Sequence, residues 1–138
     1  EFHLASEFYK KGKLTTDVID LFKNEQKRLG RNLNYIFCDS AEPDRIAEMV
    51  LANLKAYASE KEIAAGCNTV RTCFRKDLVR IGTNCPNTQN ELLTLRYPEQ
   101  DEPGYGSETT FIGKDHACDG VLRYPIHTYR KEILGLRF

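Results

Sequence analysis

Apolar residues run along this chain in two rhythms: short clustered runs, and longer stretches that recur every three or four residues. FHLASEFY, residues 2–9, is short and aromatic and predicts a strand. KKGK at 10–13 predicts a turn. Thr15, Thr16 and Asp17 are helix starters, and Val18, Leu21, Phe22 and Leu29 follow at helical spacing, so a helix is predicted to about Gly30. LNYIFCDS, 33–40, predicts an apolar strand ending on an acid, with Ile36 and Cys38 on one face and Phe37 and Asp39 on the other. Pro43 suits the first turn of a helix to about Asn53, whose apolar face is Ile46, Met49 and Val50. LKAYA, 54–58, and DLVRIG, 77–82, predict two further strands. Between them, Lys61 to about Phe74 has helical spacing interrupted at Gly66, Asn68 and Thr69, where a loop could run through. Thr88 is placed to cap a helix NELLTLRY, 90–97, with Glu91 as its capping-box partner. A polar loop, 98–114, leads to a last helix from about Asp115 to Tyr129, bent near Pro125.

Strands alternating with helices predict an α/β layer with a mostly parallel sheet. The 138 residues suit one domain, 1–138. Ligands of such sheets collect at the carboxyl ends of strands, which is where Asp39 lies.

Charge changes this picture little. Twenty basic and twenty acidic side chains cancel, so no global field steers the chain toward nucleic acid. Local clusters remain: Lys10, Lys11 and Lys13 in a turn; Lys27, Arg28 and Arg31 at a helix end; Arg71, Arg75, Lys76 and Arg80 further on. The first cluster, with Arg71, Arg75 and Lys76, supplies candidate phosphate contacts, although a charge run is more often solvated surface. The five cysteines are odd in number, widely spaced and without a CxxC pair, so they are expected to be small buried hydrophobes rather than a disulfide framework or zinc site. No signal-peptide pattern or membrane-length apolar run occurs, and no membrane partner is expected.

The chemistry concentrates in carboxylates. Asp39, at a strand end and expected to be half shielded, could anchor a divalent cation or simply cap the next helix. In KDHACDGVLRY, 114–124, Asp115, His116 and Asp119 share neighbouring helix surface while Ala117, Val121 and Leu122 face the sheet. Asp115 alone is most simply an N-cap. Asp119 lies inside the helix, and an approach to Asp39 would cost energy unless a cation joined the two. Carboxylate oxygens suit Mg²⁺ or Mn²⁺, and two such ions about 4 Å apart can hold a scissile phosphate and activate water. His116 is an accessory ligand or proton-transfer group in that scheme.

Two segments carry a resemblance. YIFCDSAEPDRIAEM, 35–49, resembles a strand, Asp, Ser-Ala-Glu-Pro turn and helix of the nuclease domain of tailed-bacteriophage terminase large subunits. KDHACDGVLRYPI, 114–126, resembles that family's closing His-Ala-x-Asp-Ala-x-Arg-Tyr helix. The intervening elements fall in the family's order. The resemblance implies a ribonuclease H-like fold, a mixed sheet with flanking helices, that lacks its N-terminal strands. It implies a two-metal endonuclease, using Mg²⁺ or Mn²⁺, that cuts concatemeric double-stranded viral DNA during packaging. Asp39, Asp119 and His116 correspond to the catalytic and metal-binding set, with Asp115 beside them, and Arg123 and Tyr124 to the packing end of the motif. The implied partners are the terminase ATPase domain, the small subunit and the portal, in the cytoplasm of an infected or lysogenic bacterium. Gly120 and Pro125 stand where the family has alanines, and the first catalytic aspartate is expected upstream of residue 1 or from another chain. A catalytically inactive remnant that binds DNA or protein is the other reading these residues allow.

Overall fold

The structure, a computed structural model, describes residues 1–136; Arg137 and Phe138, the last residues of the expected 1–138 domain, lie outside the described residues. The described chain contains four short strands, β1 (Phe2–Leu4), β2 (Ile36–Cys38), β3 (Ala56–Ala58) and β4 (Val79–Ile81). Its α-helices are α1 (Thr15–Leu29), α2 (Pro43–Leu51), α3 (Ile63–Arg75), α4 (Pro86–Thr94) and α5 (Tyr124–Thr128), and α5 is flanked by π-helical segments at Cys118–Arg123 and Tyr129–Ile133. The chain gathers into two compact units, one from Glu1–Tyr9 with Glu60 onward, the other from Lys10–Ser59.

The Lys10–Ser59 unit is built on a parallel pair, β2 with β3, in the register Ile36 to Ala56 and Cys38 to Ala58. Its core is Ile36, Met49, Leu54 and Ala56, against which Ile19, Phe22, Leu33, Cys38 and Ile46 pack. Of the two strand faces, the one carrying Ile36 and Cys38 meets this core. α1 stops at Gly30, whose φ of 70° is the left-handed conformation that glycine adopts without steric cost. Val50, expected on the apolar face of α2, is instead 51% exposed, because Ile46 and Met49 complete the buried stripe.

In the other unit β1 pairs in parallel with β4, Phe2 to Val79 and Leu4 to Ile81. Cys73, Val79, Leu122 and Ile126 form its core, with Phe2, Val70, Leu78, Ile81 and Leu92 packed around them. Both ladders are parallel, as the alternation of elements predicts, while a single antiparallel bridge joins Arg96 to Ile112. The architecture is mixed α/β.

The interruption expected in α3 is absent. A Cβ on Gly66 would sit 2.8 Å from Cγ of Arg123, so the glycine lets another side chain cross the helix and does not break it. Buried Thr69 donates its hydroxyl to the Ala65 carbonyl at 2.9 Å, as threonine does inside helices.

α4 also departs from expectation. It begins at Pro86, and Thr88 lies inside its first turn, fully buried. The cap comes from Glu7, 81 positions earlier in the chain: Oε1 accepts from the Asn87 N–H at 2.7 Å, and Oε2 from the Thr88 N–H at 3.0 Å and hydroxyl at 2.6 Å. Burial pushes the Glu7 carboxyl upward, but these bonds from Thr88 and Asn87 outweigh it and hold the pKa below its ordinary value. A depressed carboxylate contributes stability that is fully present above the unfolded value and is lost as pH falls through the folded one. The urea midpoint of the protein should therefore drop between about pH 5 and pH 3 more steeply than that of Glu7→Gln, and equal slopes would remove Glu7 from the acid response.

The last helix starts at His116 and continues to Ile133, beyond the expected Tyr129. At Tyr124, one residue before the expected bend point, the register changes from π to α, and Pro125 follows inside the continuous helix, where it has no N–H to give to the preceding turn. Among the described residues no helix is long and apolar enough to cross a membrane.

Candidate functional site

The closing helix is held from its N-terminus by a second buried carboxylate. Glu91, on α4 and only 3% exposed, accepts on Oε1 from the Ala117 and Cys118 N–H groups at 2.8 and 3.1 Å. Its Oε2 accepts from the Tyr9 hydroxyl at 2.8 Å. A helix start presents unpaired N–H donors and a positive dipole end, so one carboxylate answers both. Glu91 is thus not the capping-box partner of Thr88. Burial and the nearby Glu91 and Asp119 charges push the Cys118 thiol up to about 12, so it stays protonated at neutral pH.

That cap fixes where the candidate acids stand. Asp115 precedes the helix and its carbonyl accepts from the Asp119 N–H at 2.8 Å, while Asp119 lies in the first π-helical turn. Asp119 Oδ1 accepts from Arg123 Nε at 3.0 Å, and Arg123 NH1 reaches back to the Lys61 carbonyl at 3.0 Å. The Arg123 guanidinium carbon also lies 4.8 Å from the Tyr124 ring centroid. Arg123 is buried, and Gly66 opens the passage it takes. Arg123 is thus a structural ion-pair partner of Asp119.

Asp115 and Asp119 line one cleft of about 240 Å³, together with Arg123, Arg71, Tyr97 and Phe111. Tyr97 and Phe111 stack at 4.8 Å with 25° between their planes. His116 is exposed on the same helix. Among the described residues no group of three or more His, Cys, Asp or Glu side chains is gathered for a metal ion.

Asp39 belongs to the Lys10–Ser59 unit and is exposed rather than half shielded. It sits where the chain has left β2 and turned: its Oδ1 accepts from the Ala41 N–H at 2.9 Å and its carbonyl from the Glu42 N–H at 3.2 Å. That is a turn role, which aspartate performs through its short side chain; α2 begins only at Pro43, after a Glu42 N-cap, so Asp39 does not cap it. Lys10, Lys11 and Lys13 are exposed in the same unit, while Arg71, Arg75 and Lys76 are exposed at the end of α3.

Sequence reasoning missed Glu7, Glu91 and His127. Glu7 reads as part of a strand and Glu91 as a local capping partner of Thr88, and nothing local reveals the distant partners of either. His127, 1% exposed, meets Thr69 Oγ1 through Nδ1 at 2.7 Å. Burial first and Lys131 second lower the His127 pKa, which keeps the ring neutral near pH 7. No protein-family model, no characterised protein and no solved structure matches the chain.

Proposed function

We propose that this chain is part of a ribonuclease H-like, terminase-type nuclease domain, and that its Asp119 helix belongs to the phosphodiesterase site of that domain. The observation that carries the reading is one cleft that joins two carboxylates, Asp115 and Asp119, to the Arg71 guanidinium. Such a cleft meets a DNA phosphate with a cation of its own and offers hard oxygen donors for a metal. Asp115 and Asp119 would hold a Mg²⁺ or Mn²⁺, with a second ion in the complete domain. When bound, the ion polarises a phosphoryl oxygen and lowers the pKa of its water. Arg123 keeps the Asp119 carboxylate in one orientation through its Nε bond, as hydrogen-bond donors behind ligating carboxylates commonly do. The closing-helix motif, KDHACDGVLRY, supports the family assignment. By that assignment the substrate is double-stranded viral DNA, and the ATPase domain, small subunit and portal are its partners.

Plasmid cleavage in Mn²⁺ tests the reading. Nicking or linearisation that disappears in EDTA and in Asp119→Asn is the expected result. A folded chain that never cuts, with or without Mn²⁺, would sink catalysis by this chain. The second reading, an inactive DNA-binding module, draws on the absence of a three-donor group among the described residues. It expects DNA binding to persist unchanged in EDTA and in Asp119→Asn.

A further inference from the structure

Arg71 differs from five other arginines of this chain. Arg28, Arg45, Arg80, Arg96 and Arg123 each meet a carboxylate, from Glu25, Glu42, Asp77, Glu102 and Asp119 respectively. Arg71 is held instead by neutral groups. It donates to the Tyr97 hydroxyl, its guanidinium carbon lies 5.3 Å from the Tyr97 ring centroid, and its other arm reaches Asn68 Oδ1 at 3.4 Å. Among the described residues no carboxylate lies within ion-pair distance of it, although Glu108 influences it from further off. A guanidinium fixed in place by neutral partners keeps its charge and most of its five donors for an external anion.

A second cleft, of about 460 Å³, opens beside the first and shares Cys67, Arg71 and Tyr97 with it. Its volume lies within the range of small-ligand sites. Tyr105, 61% exposed, lines this cleft along with Asn68 and Ser107. The loop that carries Tyr105 is anchored. Arg96 grips Glu102 with a two-pronged fork at 2.6 and 3.0 Å, Glu102 Oε1 also accepts from the Glu99 N–H, and Arg96 bridges Ile112. That fork, with the Glu99 N–H, lowers the Glu102 carboxyl to about 2. The Tyr97 ring, 39% exposed, is already stacked on Phe111 and faced by Arg71, so Tyr105 is the more exposed of the two aromatic rings lining the cleft and the one without a stacked neighbour among the described residues.

We propose that this cleft binds one unpaired nucleotide of a single DNA strand, its base stacked on Tyr105 and its phosphate on Arg71. A fixed cation beside an exposed ring is the combination by which proteins take single strands, with the ring tolerant of base identity and the cation tracking the backbone. The base of a duplex, buried in its stack, cannot reach Tyr105, so the site selects strands that are frayed or open. The proposal rests on the function proposed above for DNA as the ligand and shares Arg71 with it. It requires neither metal nor cleavage.

The test is fluorescence anisotropy of a short labelled oligothymidylate on the whole chain in EDTA, so that the nuclease reading can fail without affecting the result. Tyr105→Ala should weaken binding roughly five- to hundredfold, the loss expected for one base-stacking ring, and Tyr105→Phe should restore it. Arg71→Gln should weaken binding and lower the steepness of its salt dependence by about one phosphate contact. The corresponding duplex should bind without regard to residue 105, and free thymidine monophosphate should compete far less well than the strand. Three results would each overturn the proposal: equal affinities for the parent and Tyr105→Ala, the same Tyr105 dependence with duplex, or thymidine monophosphate as tight as the oligonucleotide. Because Tyr105 is exposed, its substitution leaves the fold intact, and circular dichroism checks this.

Discussion

Replacing Glu91 with alanine is expected to destabilise the protein by about 2–4 kcal/mol, seen as a lower urea midpoint at unchanged m-value. Three donors lose their acceptor at once: the Ala117 and Cys118 N–H groups and the Tyr9 hydroxyl. Ala117 is buried, so water does not easily replace the carboxylate there. The helix start loses a compensating negative charge in the same step. Glu91→Gln keeps one oxygen for the helix and gives up the charge, so it should fall about midway. Tyr9→Phe removes only the outer contact and should cost about 1 kcal/mol or less. If Glu91→Ala behaved like Tyr9→Phe, the capping role of Glu91 would be wrong. A functional consequence follows from the geometry. The cap holds the helix that carries Asp119, so metal or DNA affinity at Asp119 should weaken in Glu91→Ala even where the protein remains folded.

Arg123→Ala is the second large effect, about 2–4 kcal/mol destabilising by thermal or urea melting. The side chain is buried, 7% exposed, and deleting it leaves the Asp119 carboxylate without its charged donor and the Lys61 carbonyl without an N–H. Asp119 is 31% exposed, which lets water offset part of the loss and keeps the effect below that of a fully buried pair. The truncation also empties the space over Gly66 that the arginine stem fills. Arg123→Lys should recover little, since an ammonium cannot reproduce the Nε bond to Asp119 and the NH1 bond to Lys61 together. A double-mutant cycle with Asp119→Asn separates the pair from the packing: coupling of about 1 kcal/mol or more is expected, and additive losses would show that the pair contributes nothing. Gly66→Ala in the Arg123→Ala background offers an independent check, because its clash is with the arginine stem alone.

These two residues show why some positions declared themselves and others did not. KDHACDGVLRY announced a helix bearing acids, and Asp115 and Asp119 do come to line one cleft. Arg123 stood four places after Asp119, within reach of it on any helix. Glu91 looked like a capping partner for Thr88 because both fit a local pattern, yet it serves a helix 26 positions further on. Gly66 looked like a break because glycine usually is one in a helix, and only the presence of Arg123 across it explains the residue. Asp39 fitted both a ligand and a cap. Its exposed position and its bond to the Ala41 N–H make it a turn residue at the strand end, ahead of the helix.

The order of strands and helices, their parallel pairing and the apolar faces of β2 and the closing helix followed from the chain alone, since periodicity is a property of neighbours. Where α4 begins, why α3 runs unbroken, and which acids cap helices depended on contacts between residues tens of positions apart. A carboxylate has the same composition whether it points to water, caps a helix or pairs with arginine. Its energy in each place is set by burial and by the donors around it, and those exist only once the chain has folded.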